Sequence, residues 1–297
     1  MKVNLKIPAS SANLGPGYDV LGMALNKYLE VSATRSEQWL VETTGEGAGV
    51  LPTDGRNLIA QTYTDICADQ GFDASPLHIQ VNNGIPVERG LGSSSTAIVA
   101  GALLAFLFHG EGEVDKQKVF EIATELEGHP DNVGPALLGG LRECGGLPGN
   151  WFALRRRIHY HIRLAMVIPR FPANTKTMRG LVPASFTDEQ EQTSREAIGA
   201  LLQGLSSGDP KGLVASEWDV KHQPYRFPAL PESHEIYKRF QQSPLIAGAF
   251  LSGAGPSVAG WFFEKDQAAV EAFGSELDVD LEILNVDTEG ATWTISN

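Results

Sequence analysis

The feature that most constrains this chain is a run of small residues feeding directly into an apolar helix. Ile85-Pro86-Val87-Glu88-Arg89-Gly90-Leu91-Gly92-Ser93-Ser94-Ser95-Thr96 leads without a break into Ala97 to Phe108, the longest apolar run, at 12 residues. That run is too short to span a bilayer and reads as a buried helix. Two glycines let the backbone turn tightly, three serines add hydroxyls, and the helix N-terminus offers unpaired N–H groups with a partial positive charge. The segment is a cradle for an anion, most naturally phosphate. It lacks the Gly-Lys-Ser/Thr ending of a Walker A loop and the third glycine of a dinucleotide fingerprint. Because Gly/Ser turns also serve as plain helix caps, the pattern alone leaves both readings open.

Three other segments carry chemistry. Pro8-Ala9-Ser10-Ser11-Ala12-Asn13-Leu14-Gly15-Pro16-Gly17-Tyr18-Asp19 follows the first strand and brings short polar groups and a carboxylate to a turn, where Asn and Asp could equally bond their own backbone. Glu127-Gly128-His129-Pro130-Asp131-Asn132-Val133-Gly134-Pro135 sets an imidazole, a carboxylate and an amide on what reads as a loop. Ala249-Phe250-Leu251-Ser252-Gly253-Ala254-Gly255-Pro256-Ser257 is a strand entering a glycine turn, either a small anion nest or a hairpin.

The hydropathy pattern predicts an α+β chain of two domains. Strands are expected at Val3 to Ala9, Tyr28 to Thr34, Trp39 to Thr44 and Leu77 to Val81, with helices at Asn57 to Gln70, Ser93 to Phe108 and from Asp115 to Gly128. The glycine-rich stretch from Gly139 to Trp151, followed by Arg155 to Arg157, marks a boundary, giving domains 1–155 and 156–297. The second half reads strand (163–168), helix (191–205), a helix opened by Asp209-Pro210, strand (246–251), strand (257–263), helix (266–275) and a final strand at 281–286 or 291–295. With one extra helix, that is the ferredoxin-like order.

Lys and Arg total 23 against 36 Asp and Glu, a formal charge of −13, which excludes a polyanion groove but not a phosphate pocket. The N-terminus shows no apolar secretory segment and only Cys67 and Cys144 could pair, so a reduced, cytoplasmic protein is expected.

In this order and spacing, the four segments resemble the GHMP family of small-molecule kinases. The stretch from Pro86 to Thr96 is similar to the family's phosphate loop, and Ser252 to Pro256 to its C-terminal glycine motif. Residues 8–19, Glu-Gly-His-Pro-Asp-Asn at 127–132, Thr-Lys-Thr-Met-Arg at 175–179 followed by Pro183, and His-Gln-Pro-Tyr-Arg at 222–226 resemble the members that act on L-homoserine. The resemblance implies transfer of the ATP γ-phosphoryl group to the side-chain hydroxyl of L-homoserine, giving O-phospho-L-homoserine in threonine synthesis. The alternatives are a member acting on another small alcohol, or a catalytically silent ATP- or amino-acid-binding regulator. A fold is also implied: an N-terminal domain like domain 2 of ribosomal protein S5, with a left-handed βαβ crossover, and a ferredoxin-like C-terminal domain. ATP would lie between them, with Mg²⁺ as cofactor, in a homodimer.

By the same resemblance, the ATP phosphates fall to Pro86, Arg89, Gly90, Leu91, Gly92, Ser93, Ser94, Ser95 and Thr96, with Asn57 near the nucleoside or merely capping its helix. Ser94 and Glu121 would hold Mg²⁺, although periodicity sets Glu121 opposite the Val119, Ile122, Leu126 stripe, on a solvated face shared with Glu125. Asn13, Asp19, His129, Asn132, Thr175, Arg179, Arg226 and Gly255 would surround the acceptor, Asp19 pairing with its ammonium and Arg179 or Arg226 with its carboxylate. Mevalonate-type members use an aspartate base near Asn132, and an amide cannot take a proton. Positioning and charge neutralisation are therefore expected to carry the rate, with Asp131 the fallback base. Thr96 replaces the family's usual alanine, and residues 143–157 and 184–196 follow no family pattern.

Overall fold

Alternation of side chains along the first strand decides how the first layer is built. The computed structural model describes residues 1–110, 114–277 and 279–296. In β1 (Lys2–Asn13), Val3, Leu5 and Ile7 are buried on one face while Lys2 and Lys6 are exposed on the other. The chain continues through β2 (Gly17–Arg35), β3 (Leu40–Gly45), α1 (Leu58–Gln70) and β4 (Leu77–Asn83). Next come α2 (Ser93–His109), α3 (Lys116–Glu127), α4 (Pro130–Leu138), β5 (Leu141–Leu147) and β6 (Asn150–Arg156). β3 and β4 pair in parallel, joined by α1, and the apolar faces of β1, β2 and β4 share one core with the four helices.

The second half contains β7 (Ile162–Val167), α5 (Thr175–Gly180), α6 (Asp188–Ser207), α7 (Pro210–Leu213), α8 (Gln223–Arg226), α9 (Pro231–Gln242), β8 (Gly248–Leu251), β9 (Val258–Phe263), α10 (Gln267–Glu276), β10 (Leu281–Leu284) and β11 (Thr292–Ser296). Its sheet has the order β10-β7-β9-β8, the antiparallel ferredoxin-like arrangement. Both faces are buried. Ile162, Leu164 and Met166 join the core that runs on from the first sheet and includes Leu201 and Leu205 of α6. Ala165 and Val167 point the other way, toward Tyr237 and Phe240 of α9 and Val270 of α10. Among the described residues, no helix is long and apolar enough to cross a membrane, and Cys67 and Cys144 are both free and buried.

Several expectations need correction. Residues 127–135 are not a loop: Pro130 opens α4, where its missing N–H costs nothing. The glycine-rich 139–151 stretch is not a linker but part of the β5–β6 hairpin on β2, which also gives the 143–157 segment its structure. Residues 184–196 contain a capping box in which Thr187 accepts from Gln190, so α6 starts earlier than its apolar stripe suggested. Both candidates for the final strand exist, in different sheets: β10 flanks β7, and β11 crosses back to pair with β1. The expected division at 155/156 thus cuts β6 near its end, and the first sheet also takes 292–296 from the chain's end.

The return crossing is tightly tied. Asp287 N–H donates to Ala24 (3.0 Å), Gly140 N–H to Asp287 (2.7 Å) and Ala291 N–H to Leu137 (3.1 Å). Gly290, at φ +74°, lies so close to the end of α4 that an added Cβ would sit 2.4 Å from the Gly139 nitrogen and 2.6 Å from the Leu137 oxygen. Gly290→Ala should therefore lower unfolding stability by at least about 1–2 kcal/mol, the left-handed strain alone, as read from urea denaturation. An unchanged midpoint would contradict this packing.

Candidate active site

The loop between β4 and α2 turns its carbonyls into the protein. Ser257 Oγ donates to Arg89 O (2.6 Å), Ser252 Oγ to Gly90 O (2.7 Å) and Ser10 N–H to Leu91 O (3.1 Å). Gly90, at φ +74°, is required here because a Cβ would lie 2.2 Å from the Ser252 oxygen. With the carbonyls occupied, α2 opens behind Gly92 with the N–H groups of Ser93, Ser94 and Ser95 lacking intrahelical acceptors. They line a cleft of about 300 Å³ together with Gly90, Leu91 and Gly92. Free N–H groups at a helix N-terminus are the geometry that an anion cradle requires.

The edges of that expectation shift. Pro86 and Thr96 do not line the cleft, and Thr96 Oγ1 bonds back to Gly92 O (2.8 Å) and Ser93 O (3.0 Å). Arg89 reaches the cleft, but its guanidinium is bound to the carbonyls of Pro169, Val87 and Arg170, tying the loop to the second sheet's side. Asn57 also lines the cleft, with its amide committed: Oδ1 accepts from Ile59 N–H (3.0 Å) and Nδ2 donates to Pro52 O (3.0 Å). It is the helix cap.

The carboxylate beside the cradle is Glu127, not Glu121. Ser94 Oγ and Ser95 Oγ donate to its two oxygens at 3.0 and 2.6 Å. Glu121 instead accepts from Gln117 Nε2 (2.9 Å) and lies outside the cleft. Glu127 is the last residue of α3, and Glu121 lies six positions earlier along the same helix.

The first turn of α4 supplies the next groups. His129, its N-cap, donates through Nδ1 to Asp131 Oδ1 at 2.7 Å. Burial would lower the His129 pKa, but the Asp131 and Glu127 carboxylates together outweigh it and the net shift is upward. Asn132 Oδ1 accepts from the fully buried Ser10 hydroxyl (2.9 Å), so its amide presents Nδ2 elsewhere. His129, Asn132 and Thr175 line the cleft.

Beyond them lies a charged wall. Thr175 and Arg179 stand one turn apart on α5, and Arg179 Nη1 and Nη2 donate to Asp19 Oδ1 at 3.0 and 2.6 Å. Arg226, only 2% exposed, donates through Nη1 to Gly253 O (2.9 Å) and to His222 Nδ1 (3.2 Å). The Tyr18 ring stands 5.5 Å from the Arg179 Cζ and 5.3 Å from the Arg226 Cζ. Although 38% of the Asp19 side chain remains open, burial of its carboxyl and the nearby Asp131 raise its pKa to about 6 against the pull of Arg179. Asp19, Arg179, Arg226, Asn13 and Gly255 do not line the cleft. Asn13 Nδ2 donates to Gly253 O (3.0 Å) and its Oδ1 accepts from Asp19 N–H (3.2 Å), so it shapes the wall from behind, while Gly255 N–H closes the 252–255 turn on Ser252 O (2.8 Å).

Sequence reasoning did not single out Ser10, Ser252, Ser257, His222 or Glu127 for a role. Their signals were present as polar residues inside the same motifs, but only the fold shows which of them meet.

Two family descriptions match this chain: the GHMP kinases N terminal domain over residues 57–140 and the GHMP kinases C terminal domain over 195–278. The chain belongs to the GHMP kinase family. It is 36% identical to the homoserine kinase of Nostoc sp. over 98% of both chains, and 36% identical to that of Streptomyces coelicolor over 98% of this chain and 94% of the relative. The crystal structure of homoserine kinase from Cytophaga hutchinsonii superposes with a TM-score of 0.83 over 99% of this chain and 97% of the other, at 24% identity, and so shares the fold.

Asp19 gives a pH test of the wall. Its folded pKa, about 6, lies above the unfolded carboxylate value, so its contribution to stability is fully present below about pH 4 and is lost as pH rises through 6. Asp19→Asn should accordingly raise the urea midpoint at pH 7.5, with the gap closing near pH 4. A lower midpoint at pH 7.5 would mean that the Arg179 pair outweighs burial.

Proposed function

We propose that this protein transfers the γ-phosphoryl group of ATP to the side-chain hydroxyl of L-homoserine, in the cytoplasm, as a step of threonine synthesis. The observation that carries the reading is the junction of two unlike surfaces: a helix N-terminus for phosphates at Ser93 to Ser95, and a wall of Asp19, Arg179 and Arg226 beyond His129 and Asn132. An α-amino acid is a zwitterion, and that wall offers both complements. Its ammonium exchanges for Arg179 at Asp19, while its carboxylate takes a guanidinium in bidentate fashion. Mevalonate and hexoses have no ammonium to offer Asp19.

The residues fit Mg²⁺. Ser94 Oγ and the Glu127 carboxylate are hard oxygen donors already 3.0 Å apart, and Mg²⁺ favours one or two carboxylates combined with substrate phosphates. When bound, the ion supplies neutralisation of charge on the transferring phosphoryl group. The chain's own part is positional. Backbone N–H groups of Ser93 to Ser95 hold phosphate oxygens, and the fixed Asn132 amide turns Nδ2, a donor, toward the space that both substrates share. A loose phosphoryl-transfer transition state demands little proton removal from the hydroxyl, so an amide can replace a base. Asp131, the fallback base, is 2% exposed and already bound to His129.

ADP release measured with homoserine, serine, mevalonate and galactose, with and without Mg²⁺, tests the reading. The highest kcat/KM is expected with homoserine and only with the metal; faster turnover of another acceptor would overturn the assignment. The two candidate carboxylates separate cleanly as well. Glu127→Gln should lower kcat by about 10²-fold or more, a loss typical of removing one charge-stabilising group, while Glu121→Gln stays within about twofold. The reverse ranking would restore Glu121.

A further inference from the structure

A buried histidine that no proposed step uses lies directly behind the acceptor wall. His222 is 0% exposed, and its ring stacks on Tyr18 with centroids 5.6 Å apart and planes at 25°. Its Nδ1 lies 3.2 Å from Arg226 Nη1 and its Nε2 lies 2.8 Å from Gly15 O, with Asp219 Oδ2 at 3.4 Å. These partners settle the tautomer. A guanidinium only donates, so Nδ1 must hold a lone pair; a carbonyl only accepts, so Nε2 must carry the hydrogen. Burial acts in the same direction, lowering the His222 pKa to about 4 and keeping the ring neutral.

The consequence falls on Arg226. Nη1 has two hydrogens, and both are used, one by Gly253 O and one by His222 Nδ1. Nε reaches Met178 O at 3.4 Å, while Nη2 makes no hydrogen bond among the described residues. Without the imidazole the guanidinium would keep one hydrogen bond of ordinary length, to Gly253 O, and the long one to Met178 O. The imidazole supplies another of ordinary length, and its position is itself set by the 219–223 turn, where the Asp219 carboxylate accepts from the N–H groups of Lys221, His222 and Gln223.

We propose that His222 is a positioning residue of the acceptor site: it joins the Gly15 turn to Arg226 and fixes the guanidinium so that Nη2 faces the substrate carboxylate. This rests on the homoserine reading of the wall given above. The imidazole touches neither substrate and acts through the arginine, so it governs acceptor binding and leaves the phosphate cradle alone.

Two variants divide the ring's functions. Asparagine places an amide oxygen near the position of Nδ1 and can still accept from Arg226. Glutamine reaches toward the position of Nε2 and keeps a donor for Gly15 but not the acceptor. His222→Gln should raise the KM for homoserine about tenfold or more, with kcat and the KM for ATP within about threefold, and His222→Asn should keep the homoserine KM within about threefold. Equal effects of the two, or parallel rises in both KM values, would mean a merely structural ring and overturn the proposal. Nitrogen NMR of the wild-type protein at neutral pH supplies a check that needs no variant: a bare Nδ1 and protonated Nε2 support the assignment, and a protonated Nδ1 refutes it. If the wild type turned over another acceptor but not homoserine, the reaction assignment would fail, whereas the nitrogen shifts would still decide the state of His222.

Discussion

The Ser252 hydroxyl is the contact on which the site most depends. It donates to Gly90 O at 2.7 Å and therefore must accept from Ser11 Oγ, also at 2.7 Å, so one buried atom joins the phosphate loop, the end of β1 and the glycine turn after β8. The neighbouring bonds repeat the pattern: Ser257 holds Arg89 O, Asn13 and Arg226 hold Gly253 O, and Gly253 N–H holds Ala12 O. Three segments far apart in sequence thus satisfy one another's buried backbone groups, each of which would otherwise cost about 1–3 kcal/mol. The chemistry of the cleft follows from what these bonds leave free. The loop's carbonyls are spent inward, so the N–H groups at the start of α2 are what remains for a ligand.

That arrangement explains how a chain of charge −13 can hold a polyanion in a small pocket. The cradle uses partial charges on the backbone, which need no lysine, and it places Glu127 where a divalent cation would reverse the local sign. On the acceptor side the charges are full ones and are largely balanced in place: Asp19 against Arg179, with Arg226 shielded by Tyr18 and His222. The loop before α2 and the charged wall therefore offer different physics, backbone dipoles at one and full charges at the other.

Much of this was legible in the sequence, and the parts that were not share a physical reason. The strand and helix periods gave β1, α1, α2, α3 and the ferredoxin-like order, because those elements bury a face. Asp19, Arg179 and Arg226 could be singled out because they lie in long motifs, and the structure brings them together around Tyr18. Asn57 both caps its helix and lines the cleft, so the two readings left open for it are compatible. That Glu121 lies outside the cleft was not legible, because its motif position says nothing about where α3 stops, and a helix rotates a side chain by about 100° per residue. The 127–135 segment read as a loop because Gly, His, Pro, Asp and Asn are turn formers, yet proline at the first helical position is also a start signal. The choice between 281–286 and 291–295 could not be made locally: each strand is completed by a partner in a different sheet.

The return of β11 to the first sheet also limits how the cleft can open. The chain passes from the first sheet to the second after β6 and comes back after β10, where Leu25 and Val286 form a bridge and Asp287 is held by Ala24 and Gly140. On the cleft side, Ser252, Ser257 and Arg89 cross between the same two bodies. A hinge motion separating the sheets would have to break hydrogen bonds at both places at once, each worth about 1 kcal/mol net and more when its partner is left unpaired. The Asp19–Arg179 pair, by contrast, is partly solvated and can open without breaking either set. A partly exposed ion pair of this kind contributes about 0–1 kcal/mol, so opening it costs little.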